Sequence, residues 1–552
     1  MNTIKNISNV LTEEKTTHQG GYAYKTTFED DLCTLFTIGS LHGRFYEDAT
    51  TAIKDMDNTF KKALNECPEL ATKYAVYSAE TLRMKLIPTL WLVYISTLED
   101  KTLFNKAFPR IIGTNIKMLH DFIEICRTTN IRPGGHMSQK VKQTNRGIGS
   151  SIKKTINTHL NKIMNDYNVT RFTGKLEDIC HLTRIKDNES NVNYLKYIFK
   201  PKNNARRLTF ERAILLQDTI DILSKDERAE DEFKRALENI AKAKIQMDEI
   251  KFTFGKLSKD ELQKVYEHFL PTLSYAALVT NLSAIERVYA TSWDYDNNYF
   301  NGSSFKQKVV LETDIPKHIV DLVAKRLSDV NSFLRSGLFF MRLYIASKMI
   351  VTTEWSLAMN KVFKEVANKA FDGIPETMRV RCSADTSGSM SSPITNNSKV
   401  EAIDVAAYLT AACALSIPSA NAYATATYTK QVNLKSTEIE QCAEAIKNTD
   451  VGYGTYFESL LKGYKGENIV LLITDTQQSS NVNKYWKQLN NKPNDAKFII
   501  WDIVGYAQHN VISNNDPSFI YIRGYSDRNL QLVNDIITGK AGQKEVVHQV
   551  VL

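Results

Sequence analysis

At Met378 the apolar pattern of this chain changes period. From Glu47 to about Ala370, apolar residues recur at helical spacing, as in Leu90-Trp-Leu-Val-Tyr-Ile-Ser-Thr-Leu98 and Ile116-Lys-Met-Leu-His-Asp-Phe-Ile-Glu-Ile125. Strand-like alternation is nearly absent there. After it, Met378, Val380 and Cys382 alternate and run into Asp385-Thr-Ser387-Gly388-Ser389. A strand would deliver a carboxylate and two hydroxyls to one tight turn in this way, with Gly388 letting the backbone bend between the serines. The chain therefore needs two architectures, one helical and one built on strands.

The second is readable in outline. A small-residue helix is expected from Ala402 to Ser416, a strand over Ala422–Tyr428, and a helix over Thr437–Lys447. The buried run Ile469-Val-Leu-Leu-Ile473 ends at Thr474-Asp475; a helix near Tyr485–Leu489 and a strand over Lys497–Val504 follow. Strands alternating with helices predict a parallel α/β sheet, whose ligands sit at the carboxyl ends of the strands. Asp385 and Asp475 both fall there. A hard divalent cation such as Mg²⁺ takes near-octahedral oxygen ligands and keeps several waters. One loop cannot fill that shell, and Gly452-Tyr-Gly454-Thr455 supplies a further hydroxyl. Ser387, Ser389 and Thr455 are expected to ligate directly, with Asp385 and Asp475 acting mainly through bound waters. This layout is that of a metal-ion-dependent adhesion site, so the chain from 372 to 552 resembles a von Willebrand factor A domain.

A chain of 552 residues is too long for one core. No apolar run approaches the ~20 residues of a membrane span, and the polar start is unlike a signal peptide. Seven scattered cysteines without a Cys-x-x-Cys pair predict reduced, mostly buried thiols in a cytoplasmic protein, monomeric by expectation. The net charge of +8 divides unevenly. From Asp372 onward 16 Lys/Arg face 18 Asp/Glu, leaving 54 against 44 before it. The basic excess therefore belongs to the first part, which suggests a polyanion partner there.

That excess is densest from Arg127 to Lys175, where ten Lys/Arg face one acid, Asp166. Arg132-Pro-Gly-Gly-His136 reads as a turn, and Asn145-Arg146-Gly-Ile-Gly149-Ser-Ser as a loop opening a helix. Backbone N–H groups at a helix start, with Lys153 and Lys154 in its first turns, suit phosphate oxygens. Arg132, Lys140, Lys142, Arg146, Lys153 and Lys154 are thus candidate RNA contacts. No aromatic ladder interleaves them, so base stacking is not evident.

The order of parts resembles the Ro (TROVE-domain) RNA-binding proteins. Matching stretches are Leu35-Phe-Thr-Ile-Gly39-Ser40, Gly43-Arg-Phe-Tyr46, Ile152-Lys-Lys-Thr-Ile156, Asp178-Ile-Cys-His-Leu-Thr-Arg184-Ile-Lys186 and Ala276-Ala-Leu-Val-Thr-Asn281-Leu. The resemblance implies a fold of α plus α/β class: a HEAT-like helical ring followed by a Rossmann-like A domain with a parallel sheet. Expected boundaries are a flexible 1–20, a TROVE domain over 21–371 and the A domain over 372–552. It also implies Y-like RNAs on the basic outer face and single-stranded RNA 3′ ends in the hole. A nuclease or other protein would be the partner of the A domain. Family members carry a histidine where this chain has Thr173-Gly174, and Arg184 and Lys186 are the nearby basic substitutes.

The ten histidines form no catalytic or metal pattern. His136 and His159 read as hydrogen-bonding surface residues, and the charged run Lys225–Lys259 as one long solvated helix. No Walker loop, Ser-His-Asp order or HExxH is present, so a non-enzyme is expected. The alternative function is a protein-interaction scaffold working through the A domain without RNA.

Overall fold

The computed structural model describes residues 14–39, 49–128, 148–199, 208–300, 303–394, 400–506, 509–511 and 516–552. It divides into two compact units. One is Thr89–Leu338 with Ala346–Ala358; the other is Met1–Pro88, Phe339–Ile345 and Met359–Leu552.

The first unit is a series of helices packed on neighbours next to them or a few helices away in the chain. Helix Ile116–Thr128 packs on Thr173–Thr183, and Glu211–Leu223 on Glu230–Ala243. Phe104, Phe108 and Phe122 form a triad with ring centroids 5.2–5.9 Å apart. His159, expected on the surface, closes this cluster instead. It is buried edge-on to Phe108, its Nε2 lies 2.7 Å from the Gly113 carbonyl, and burial lowers its pKa.

Two further expectations fail in this unit. The charged run is not one helix: helix Glu230–Ala243 stops at Lys244, whose φ of 49° is left-handed, and the shorter Met247–Ile250 and Lys251–Lys256 turns follow. Charge pairs such as Lys225–Glu232 and Lys256–Asp226, each 2.6 Å, tie the pieces together. Strands are present as well. β3 (Ala290–Phe300) and β4 (Ser303–Thr313) form an antiparallel ribbon. Its signal was the β-prone run on either side of Asn301-Gly302, a hairpin dipeptide.

The second unit is built on a six-stranded sheet. Its strands are β5 (Val380–Asp385), β6 (Ala420–Thr425), β7 (Thr429–Val432), β8 (Ile469–Thr474), β9 (Lys497–Asp502) and β11 (Phe519–Arg523). They lie in the order β11-β9-β8-β5-β6-β7. The first five in that order are parallel. The expected parallel sheet is these five strands, and at its edge a sixth, β7, returns antiparallel to β6. Alternation sorts the apolar residues onto two faces. Val470, Leu472, Phe498 and Ile500 join Phe457, Trp486 and Phe519 on one side. On helix Ala402–Ser416, Tyr408 packs on Phe340 and Phe363, with centroids 5.3 and 5.1 Å away.

Packing draws a different line from the change in sequence texture, because the chain's beginning belongs to this unit. Residues 1–13 lie outside the described residues; residues 14–20, expected to be frayed, open a hairpin. β1 (Glu14–Thr16) pairs with β2 (Tyr22–Lys25), which pairs with β10 (His509–Asn510). Helix Phe28–Thr37 follows, capped reciprocally by Thr27 and Asp30. The Asp30 carboxylate is buried against Lys544 at 2.7 Å and Arg523 at 3.5 Å. No helix among the described residues is long and apolar enough to cross a membrane.

Burial alone would raise the Asp30 carboxyl, but the Arg523 and Lys544 charges outweigh it and hold it well below the ordinary range. Its contribution to stability is therefore present above the ordinary carboxylate pKa of about 4 and lost as pH falls below it. Asp30→Asn removes the carboxylate charge beside a buried guanidinium and an ammonium. It should lower unfolding free energy at neutral pH by about 3 kcal/mol, measured by denaturant titration.

Candidate functional site

The sheet order reverses between β5 and β8: the chain goes from β5 to one side, through β6, and returns on the other through β8. The crevice at that switch point is where an open α/β sheet binds ligands. Asp385 closes β5 and Asp475 follows β8, so the two carboxylates face one crevice. Asp385 Oδ1 accepts from the Ser387 N–H at 2.9 Å, and its Oδ2 accepts from Thr474 Oγ1 at 2.6 Å. The Ser387 and Ser389 hydroxyls lie 3.3 Å apart. Asp475 Oδ1 accepts from the Gln477 N–H at 3.1 Å, and Ser389 bonds the same carboxylate.

Thr455 reaches the crevice on its glycine loop. Gly452 has φ 77°, and a Cβ there would come within 2.6 Å of Thr427 Oγ1. Only glycine combines that conformation with that approach. The Gly454 N–H donates to the same hydroxyl at 2.9 Å, and the Gly388 N–H donates to the Tyr453 carbonyl at 3.1 Å, tying the two loops together. The structure thus brings Asp385, Ser387, Ser389, Thr455 and Asp475 to one place, all buried.

The electrostatics of that place are uncompensated. Burial raises the Asp385 carboxyl, against its hydrogen bonds from Thr474 and Ser387. Burial and then the Asp385 charge push Asp475 up to about 8, with Asp502 adding to the rise. Two buried atoms here, Thr455 Oγ1 and Asp475 Oδ2, have no hydrogen-bond partner. Among the described residues no three His, Cys, Asp or Glu side chains gather as a metal cluster. The donors are three neutral hydroxyls and two carboxylates, the hard oxygen set that suits Mg²⁺. Orphaned oxygens and mutually repelling acids both fit a cation.

Sequence reasoning missed the next residue. Thr476 has φ 64°, a left-handed conformation that a β-branched side chain rarely takes. It turns the chain at the end of β8, and the Ser479 N–H then reaches the Thr455 carbonyl at 2.7 Å.

The expected RNA residues are only partly placed. Arg132, Lys140, Lys142 and Arg146 lie outside the described residues. Lys153 and Lys154 stand in the first two turns of helix Ser150–Ile163, whose N-cap is Gly149; Lys154 is exposed and Lys153 half-buried. Arg184 and Lys186 are exposed on the loop after helix Thr173–Thr183, with Arg184 left-handed at φ 54°. Asn157 donates to the Thr183 carbonyl at 3.3 Å, and Asn191 to Asn161 at 2.9 Å and to the Lys186 carbonyl at 3.2 Å. These bonds hold the Arg184–Lys186 loop against the helix carrying Lys153 and Lys154. A cleft of about 1020 Å³ in the same unit, lined by Tyr167, Arg171, Arg212, Lys244 and Lys251 among others, had no sequence signal.

No family model matches the chain, and no curated protein matches it in sequence. In structure it is similar to the Ro (RSR) protein of Deinococcus radiodurans, at 12% identity with a TM-score of 0.56. The match covers 93% of this chain and all of that one. At such identity the likeness is one of fold: serial helices followed by a six-stranded sheet with flanking helices.

Both carboxyls of the crevice titrate above the ordinary value of about 4, so without a cation their stabilising contribution is lost as pH rises from there towards 8. A cation bound between them would favour the charged forms and reverse this. Thermal stabilisation by Mg²⁺ should therefore grow between about pH 5.5 and pH 8. Asp475→Asn should abolish it while raising the melting temperature of the cation-free protein at the upper pH, as read by calorimetry.

Proposed function

We propose that this chain is a noncoding-RNA-binding protein of the Ro type. The observation that carries the reading is a Ro-like fold over nearly the whole chain, with the basic excess confined to residues before Asp372. Phosphate contact is the physical basis. Lys153 and Lys154 follow a helix start with no acid in its first turn, and the Arg184–Lys186 loop is bonded beside them. Point charges and helix-start N–H groups position a phosphate backbone without reading its sequence. Y-like RNAs would lie on this basic face, and unpaired 3′ ends of misfolded or processed RNAs would be the second ligand class.

The crevice around Asp385 and Asp475 would hold Mg²⁺ or another divalent cation. When bound, the cation supplies a positive centre with an open position for an acidic side chain of a partner protein. The five residues hold, orient and shield it. We read the chain as a binding protein and not an enzyme, since these hydroxyls and carboxylates are committed to one another and to the cation. The crevice also favours a second reading, a protein-interaction scaffold that binds no RNA.

Mobility shift of a structured RNA with a single-stranded 3′ end, at several salt concentrations, separates the two. Ro-type binding predicts that log affinity falls linearly with log salt. Reversing Lys153 and Lys154 to Glu should weaken binding alike for all sequences and reduce that slope by about one per lysine. EDTA should leave the affinity unchanged. No measurable RNA binding by the wild type would favour the scaffold.

A further inference from the structure

The loop that carries Asp475 is held from both sides. On one side the Ser479 N–H donates to the Thr455 carbonyl at 2.7 Å, so Thr455 and Asp475 are joined through residues 476–479. On the other side lies the hairpin of β1 and β2, 461 positions earlier in the chain. Thr17 Oγ1 donates to the Gln478 carbonyl at 2.5 Å, and the His18 N–H donates to Gln477 Oε1 at 3.1 Å. Ser479 Oγ donates to Gln19 Oε1 at 2.7 Å, and Asn483 donates to the Tyr24 hydroxyl. Ser479 therefore bonds the hairpin through its side chain and Thr455 through its backbone.

The fit of the two segments is close. Thr17, Gln477 and Gln478 are buried. A Cβ on Gly21 would stand 2.2 Å from the Gln478 carbonyl oxygen and 2.7 Å from the Ser480 nitrogen. No real side chain tolerates that, so any substitution at Gly21 must push the hairpin off the loop. The loop itself begins at the left-handed Thr476, a conformation that persists only when its surroundings over-determine it. The hairpin supplies three bonds of that surrounding: from Thr17, from His18 and to Gln19.

We propose that the N-terminal hairpin Glu14–Lys25 is a strap that positions Thr455 and Asp475, so that docking of the strap and cation binding at the crevice strengthen each other. This rests on the cation reading given above. A ligand set must be held to within a fraction of an ångström, and a loop that orders only on binding loses affinity to the ordering. A strap that orders it beforehand raises cation affinity. By linkage the cation must then raise strap docking by the same factor. Thr17, Gln19 and Gly21 are positioning residues in this scheme, because none of them reaches the cation.

The test uses the full chain and two readouts: Mg²⁺ affinity by titration calorimetry, and hydrogen exchange of residues 14–25 with and without Mg²⁺. Gly21→Ala, which clashes, and the milder Thr17→Val and Gln19→Ala, which only remove bonds, should each weaken Mg²⁺ binding, the first by about tenfold. In the wild type Mg²⁺ should slow exchange in the hairpin, and in Gly21→Ala hairpin exchange should be fast without it. Wild-type affinity in all three variants, with fast hairpin exchange in Gly21→Ala, would overturn the coupling while leaving the cation site standing. A wild type that binds no Mg²⁺ would remove the cation reading and the coupling with it.

Discussion

Two buried carboxylates face each other across the crevice between β5 and β8, with hydroxyls and backbone N–H groups as their partners among the described residues. Three other buried acids of the same unit have basic partners. Glu467 pairs with Arg381 at 2.7 Å, Asp404 with Lys447 at 2.6 Å, and Asp30 with Lys544 and Arg523. Unpaired charge costs several kcal/mol in such surroundings. The fold compensates it at those three positions; burial raises the single carboxyl of Asp527 to about 6, whereas at Asp385 and Asp475 two raised carboxyls stand against each other. That contrast, more than the presence of serines, supports reading the crevice as a cation site.

The rest of the unit serves this arrangement. The buried strands β8 and β9 and the buried helix Ala402–Ser416 make a rigid platform, and the order of the strands puts both acids at the reversal point. The glycine loop before Thr455 packs on Thr427, and residues 477–479 are bonded to Thr455 and to the N-terminal hairpin. The helical unit has a different character. Its charges are solvated and basic where Lys153, Lys154, Arg184 and Lys186 stand, which suits a solvated polyanion and not a buried ion.

What could be read from the sequence was local. Asp385-x-Ser387-x-Ser389 follows a strand, Asp475 follows another, and Thr455 ends a glycine loop; each signal spans a few residues. The antiparallel β7 was illegible because Thr429-Lys-Gln-Val432 is short and lies mostly at the surface. The β3–β4 ribbon has a local signal in Asn301-Gly302, set within a long stretch of helical periodicity. The burial of His159 depends on Phe108 and Gly113, far from it in the chain, and no local pattern records that. Thr17 meeting Gln478 lies further still beyond any window of sequence. For the candidate RNA contacts, charge density pointed to a face, yet of the eight named only Lys153, Lys154, Arg184 and Lys186 fall within the described residues.

A cation at the switch point of the sheet is the proposal on which the readings of the buried acids, the glycine loop and the strap all rest. Anomalous diffraction from crystals of the full chain grown with Mn²⁺ locates it directly. A single strong peak within ligand distance of Ser387 Oγ, Ser389 Oγ and Thr455 Oγ1, with Asp385 and Asp475 bonded to its waters, is the expected result. A map with no peak there, and the two carboxyls sharing a proton at neutral pH instead, would contradict it.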